Sequence, residues 1–147
     1  MDKKKMLALL LTSLVIISAF TALAGCLTKD EPSQEVELDV KRAYVKEVDA
    51  DDEPSEEGRE FLWLKVEMTN LRDENLEIDH VLFEAESKEE VTYTAHQGVD
   101  INARLEPDET NVFWLIFDIP EDFTADELLF IPYDERGPVG WTSIPSY

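Results

Sequence analysis

Few side chains in this sequence could do chemistry, and their spacing limits what that chemistry could be. His80 and His96 are the only histidines, and they fall in no His-x-x-x-His or similar set that would turn two imidazoles towards one metal ion. Serine, histidine and acid are all present, but no Gly-x-Ser-x-Gly elbow holds a serine in a strained nucleophile turn. Five glycines in 147 residues leave no phosphate-cradling loop. The acid pairs Asp51-Asp52 and Glu56-Glu57 lie in polar stretches where nothing would raise a carboxyl pKa for general acid and base work. Carboxylates are densest in Asp49-Ala50-Asp51-Asp52-Glu53-Pro54-Ser55-Glu56-Glu57-Gly58, six acids in ten residues. Asp49, Asp51, Asp52 and Glu53 there supply hard oxygens of the kind calcium takes, without the ligand spacing or central glycine of an EF-hand loop. The stretch reads first as a solvated connector and second as a cation-binding surface. No catalytic residue, metal ligand or cofactor is assigned, and the chain is not expected to be an enzyme.

Cys26 is the only cysteine, so the sequence allows no intramolecular disulfide and no thiolate metal site. Its surroundings are specific. Lys3-Lys4-Lys5 are followed by an apolar run from Met6 to Phe20, broken only by Thr and Ser, and then by the small residues that lead to Leu23-Ala24-Gly25-Cys26. A basic start, an apolar stretch and a small-residue cleavage region are the three parts of a secretory signal. The run is short for a membrane-spanning helix, which needs roughly 20 apolar residues. Leu23-Ala24-Gly25-Cys26 resembles the lipobox of lipoproteins residue for residue. That resemblance implies cleavage before Cys26 and a diacylglyceryl-type lipid on its thiol as the only prosthetic group. The chain is then expected outside the cytoplasm, anchored to the cell membrane by a lipid.

Three regions follow: a signal peptide over 1–25, a lipidated amino terminus and tether over 26–35, and a domain over 36–147. The tether is polar, contains Pro32 and has no periodicity; fully extended, it reaches at most about 30 Å. Formal charge is −21 for the whole chain. Cleavage removes Asp2 and Lys3 to Lys5, leaving 33 acids against 10 bases. Such a surface repels nucleic acid, whose binding rests on Lys and Arg, and as a whole argues against a domain lying flat on an anionic membrane. The partners expected are the membrane, through the lipid, and a protein or envelope component.

The elements that would position any site are strands. Val36, Leu38 and Val40 alternate with polar residues, and after Arg42 the apolar positions move to Ala43 and Val45, a phase change that a β-bulge or a switch of sheets explains. In Arg59 to Asn70, Leu62, Leu64, Val66 and Met68 form a core face, while Phe61 and Trp63 give the other face an apolar end suited to contact or to cover by the tether. Further strands are predicted over Leu76–Ala85, around Val91–Ala95, over Gln97–Leu105, over Thr110–Ile119 and over Leu128–Tyr133. Thr110–Ile119 is apolar on both faces and should be central, with Trp114 in the core. Trp141, in a tail rich in Gly and Pro, is the expected exposed contact. About seven strands without an intervening helix predict an all-β, immunoglobulin-like antiparallel sandwich, preceded by the signal-peptide helix.

Phe61-Leu62-Trp63-Leu64-Lys65-Val66-Glu67-Met68-Thr69-Asn70, then Leu105-Glu106-Pro107-Asp108-Glu109, then Phe113-Trp114-Leu115-Ile116-Phe117-Asp118-Ile119-Pro120 resemble the DUF4352 family. The resemblance implies a secreted or lipid-anchored immunoglobulin-like domain and carries over no catalytic residue. That family often has glycine in the turn where this chain has Asp108-Glu109. The function expected is that of a membrane-anchored binding or accessory module without catalysis, with the acidic 49–57 loop as an alternative cation-binding surface.

Overall fold

The apolar alternation of Val36, Leu38 and Val40 becomes the first half of an edge strand, β1 (Val36–Lys46), paired antiparallel to β2 (Arg59–Asn70). The computed structural model describes residues 34–147, so Leu23–Cys26, the signal-peptide helix and nearly all of the tether lie outside the described residues. The compact unit runs from Gln34 to Tyr147. Glu35, which the sequence places in the tether, is bonded into it: its amide donates to the Val139 carbonyl at 2.9 Å and its carbonyl accepts from the Leu71 amide at 3.1 Å. Among the described residues no helix is long and apolar enough to cross a membrane.

Two four-stranded antiparallel sheets make an immunoglobulin-like sandwich. One has the order β1, β2, β8 (Thr110–Pro120), β6 (Gln97–Val99); the other has β10 (Gly140–Ser143), β9 (Glu127–Phe130), β4 (Phe83–Glu86), β5 (Thr92–Thr94). A two-residue pair, β3 (Leu76–Glu77) with β7 (Arg104–Leu105), closes one end. Leu62, Leu64, Val66 and Met68 of β2 and Phe113, Leu115, Phe117 and Ile119 of β8 meet Phe83, Ala85, Leu128 and Phe130 of the facing sheet in one buried cluster. Phe83 touches Phe113 across the layers, with ring centroids 5.5 Å apart. Near Val36 the layers come so close that a Cβ on Gly140 would lie 3.1 Å from the Val36 carbonyl, so a larger residue there would have to push β1 back by a few tenths of an ångström.

The ten strands of the described residues exceed the expected seven through two divided runs and a tail strand. The strand predicted over Leu76–Ala85 is split, because Asp79 caps a 3₁₀ turn (His80–Leu82) and the chain passes from the β3–β7 pair to the second sheet. Ile78, Leu82 and Phe83 are buried on either side of the break, so apolar spacing alone does not reveal it. The run predicted over Gln97–Leu105 divides likewise into β6 and β7, with Asp100 between them at φ 63°. The tail strand β10 pairs with β9, opposing Trp141 to Leu129.

Candidate functional site

The phase change read in β1 is a bulge: pairing with β2 shifts register between Val40 and Arg42, leaving Lys41 unmatched. Val40 still opposes the core residue Val66, but beyond the bulge Ala43 opposes Leu64 and Tyr44 opposes Trp63. The extra residue therefore sends Arg42, Tyr44 and Lys46 to the outer face of the sheet. There they join Trp63 and Lys65 of β2 and Val112 and Trp114 of β8, which stand side by side through the pairs Lys65–Trp114 and Glu67–Val112.

The three rings form one cluster. Tyr44 and Trp63 lie nearly parallel, 6.1 Å between centroids and 10° between planes. Trp114 meets both edge-on, at 5.7 Å from Tyr44 and 6.1 Å from Trp63. The Trp63 indole donates its Nε1 hydrogen to the Val48 carbonyl at 3.2 Å, which fixes the ring. Above them sit cations. Lys46 Nζ is 4.5 Å from the Trp63 centroid and 5.3 Å from that of Tyr44, the Arg42 guanidinium is 5.2 Å from Tyr44, and Lys65 Nζ is 6.0 Å from Trp114. Each such contact on an exposed face contributes about 0.5–1 kcal/mol.

Arg42, Lys46 and Lys65 form no salt bridge among the described residues, whereas neighbouring cations do. Lys41 holds Asp39 at 2.6 Å and Glu67 at 3.7 Å, and Arg59 holds Asp118 at 2.7 Å. In a chain with 34 acids and 13 bases, three cations thus gather on one aromatic face. Trp114 is thus half-buried in this outer cluster rather than in the core: β8 is apolar on both faces because one packs the sandwich and the other supports the aromatic patch. Trp141, expected to be the exposed contact, is half-buried in β10.

The acidic stretch is organised around Asp49, which is only 6% exposed. Its Oδ1 accepts from the amides of Asp51 at 2.9 Å and Glu53 at 3.0 Å, and its Oδ2 lies 3.3 Å from His96 Nε2. Desolvation pulls the Asp49 carboxyl upward, but the amides of Glu53 and Asp51 and the His96 ring together outweigh it and hold the pKa below the ordinary aspartate value. His96 also stacks on Phe61 at 5.6 Å, and the Gln97 side chain bridges the Ala50 amide and the Asp51 carboxylate at 2.9 Å each. Asp49 is therefore a loop organiser, while Asp51, Asp52 and Glu53 are exposed, Asp51 held by Gln97. Among the described residues no three His, Cys, Asp or Glu side chains are grouped to hold a metal ion.

The His80 ring pairs with its neighbour Asp79, Nδ1 to Oδ1 at 2.9 Å. Among the described residues neither imidazole is hydrogen-bonded to a Ser or Thr hydroxyl. A shallow groove of about 440 Å³ near Leu76, Arg104 and Tyr133 includes Arg72, already paired with Glu35 and Glu135. The sequence signalled the aromatic face only at Phe61 and Trp63; Tyr44 and the three cations reach it through the bulge and the cross-strand register. Cys26, the assigned lipid-attachment residue, lies outside the described residues.

The fold has solved counterparts. A candidate lipoprotein from Bacillus subtilis, ycdA, superposes with a TM-score of 0.59 at 15% identity over 78% of this chain, which spans 37% of that longer chain. A secreted protein of Mycobacterium tuberculosis, MPT63, gives a TM-score of 0.50 at 8% identity over 73% of this chain and 81% of its own. At these identities the likeness is one of fold. No curated protein is significantly similar in sequence. The family model for DUF4352, a domain of unknown function, matches residues 29–137, and the chain belongs to that family.

Proposed function

We propose that this protein is an extracytoplasmic, lipid-anchored accessory module that acts by binding and not by catalysis. Cys26 carries the lipid, residues 27–33 connect it to the sandwich, and the outer face of the β1–β2–β8–β6 sheet is the recognition surface. The observation that carries the reading is the cluster of Tyr44, Trp63 and Trp114 capped by Arg42, Lys46 and Lys65. It is built on three strands of a continuous ladder and so is preformed, which lowers the ordering cost of binding. The placement is supported by the resemblance of Leu23-Ala24-Gly25-Cys26 to a lipobox. It is also in keeping with the descriptions of two proteins of the same fold, a candidate lipoprotein and a secreted protein.

Two measurements test it. Mass spectrometry of the native membrane fraction should find an amino-terminal peptide that begins at Cys26 and carries a lipid, and Cys26→Ser should release the protein from membranes. A Cys26→Ser chain that stays membrane-bound with an unmodified amino terminus would reject the anchor. For the binding face, crosslinking in native membranes should recover a partner through residues around Tyr44 and Lys46. Crosslinks confined to the opposite sheet would reject the face.

A further inference from the structure

We propose that the partner of the aromatic and cationic face is the anionic headgroup surface of the membrane to which the chain is anchored. This rests on the lipid anchor proposed above. The 33 acids against 10 bases of the chain from Cys26 onward repel any anionic surface at long range, but at physiological ionic strength that repulsion is screened beyond roughly 8 Å. Contact is then decided by the groups within reach. On this face those are Arg42, Lys46 and Lys65, with no carboxylate partner among the described residues; Asp118 is paired with Arg59, Asp39 and Glu67 share the single charge of Lys41, and with the exposed Glu37 counted the face still holds one more cation than carboxylates.

Composition favours a headgroup layer over other anions. Trp and Tyr with Lys and Arg are the side chains that settle at a membrane interface, rings at the acyl boundary and charged heads among the phosphates. Val112, 42% exposed, adds apolar surface beside the rings. An open ring platform for a neutral sugar is not what the geometry offers, since cations lie over Tyr44, Trp63 and Trp114.

The chain length between anchor and fold supplies the last argument. Seven residues, hence eight residue-to-residue steps, separate Cys26 from Gln34, where the compact unit begins, a reach of at most about 26–29 Å. The eleven residues of β1 rise about 37 Å at 3.4 Å each. With one end of β1 held that near the bilayer, laying the sheet on its side brings Tyr44 and Lys46 to the headgroups. Anchoring makes this contact intramolecular, so a patch too weak to recruit the domain from solution can still fix its orientation.

The test uses the chain from Cys26 onward, coupled through the Cys26 thiol to a maleimide lipid in vesicles that contain brominated phosphatidylcholine. This keeps the tether in place whether or not a cell acylates Cys26, so failure of the anchor and failure of docking are separate results. Tryptophan quenching should be strong when phosphatidylglycerol is included, weak in purely zwitterionic vesicles and reversed by high salt. Neutralising Arg42, Lys46 and Lys65 to Gln should weaken docking by about fivefold per residue. Lys88→Gln with Arg136→Gln, the same kind of charge loss elsewhere, should leave it unchanged. Should the triple variant misfold by near-ultraviolet circular dichroism, Lys46→Gln alone carries the comparison. Quenching that is absent on anionic vesicles, equal on both vesicle types, or indifferent to the face variants while sensitive to the controls would overturn the proposal.

Discussion

Asn70 shows how much one buried side chain can organise in a fold without disulfides. It is fully buried, and its Nδ2 donates to the Glu74 carbonyl at 2.9 Å and the Leu105 carbonyl at 3.1 Å while its Oδ1 accepts from the Arg72 amide at 2.9 Å. Its own backbone pairs with Asp108 and Glu109, so two turns meet on one residue. Asn70→Ala strands three backbone groups and should cost about 2–4 kcal/mol in urea unfolding, since each orphaned buried group costs about 1–3 kcal/mol less whatever water can repair. Asp108, where the family often has glycine, adopts φ 64°. Aspartate tolerates that region and a β-branched residue does not. Asp108→Gly should therefore leave the melting temperature nearly unchanged, whereas Asp108→Val should lose about 1–2 kcal/mol.

Asp49 gives the acidic loop a pH limit. Its folded pKa lies below the unfolded value, so the ionised form favours the folded loop. That contribution is complete above the ordinary aspartate range and is lost as pH falls below about 4. The Asp51 and Glu53 amides should lose hydrogen-exchange protection on acidification before the β2–β8 ladder does. In Asp49→Asn, which keeps the Oδ1 acceptor without the charge, that early loss should be absent. Simultaneous loss of loop and ladder in both proteins would contradict this account.

At the level of elements, β1 is an edge strand among the described residues, and its charges and bulge are devices that keep such an edge from pairing with another chain. The second sheet carries a local conflict instead. Glu86 of β4 stands directly opposite Glu127 of β9. Burial first, then Glu86 and Asp126, raise the Glu127 pKa above the usual glutamate value. A raised carboxyl binds its proton more readily folded than unfolded, so this pair gains stability as pH falls from neutral towards the glutamate range. Glu127→Gln should stabilise the protein at pH 7 by about 0.5 kcal/mol and flatten the pH dependence of its melting temperature between 7 and the glutamate range.

The strands β1, β2 and β8 were legible in the sequence because each is long and its apolar period is unbroken or broken only once. The division of 76–86 was not, because Ile78, Leu82 and Phe83 are buried whichever sheet they serve. The candidate site was half legible for a related reason. Phe61 and Trp63 stood out as apolar residues on the polar side of a strand, but Trp114 read as core because both sides of β8 are apolar. That Tyr44 reaches them depends on a register that only pairing defines.

Among the described residues, stability rests on one cluster shared by two sheets. Phe113 is 1% exposed and touches Phe83 across the layers. Phe113→Ala should cost about 3–5 kcal/mol, a large share of the 5–15 kcal/mol that such domains have. Thermal melting should show loss of both sheets in one transition, because neither sheet has a core of its own.

Glu35, held by Val139 and Leu71 and bonded through its carboxylate to Arg72 at 2.6 Å, also has a mechanical meaning. With the lipid proposed for Cys26 in place, a tug passed along the chain from the bilayer would reach this residue at the start of β1. Arg72 is bonded in turn to Glu135, so the pull is shared with the carboxy-terminal segment before it reaches the β1–β2 ladder. The clamp works as a strain relief at the point where a cable meets its housing.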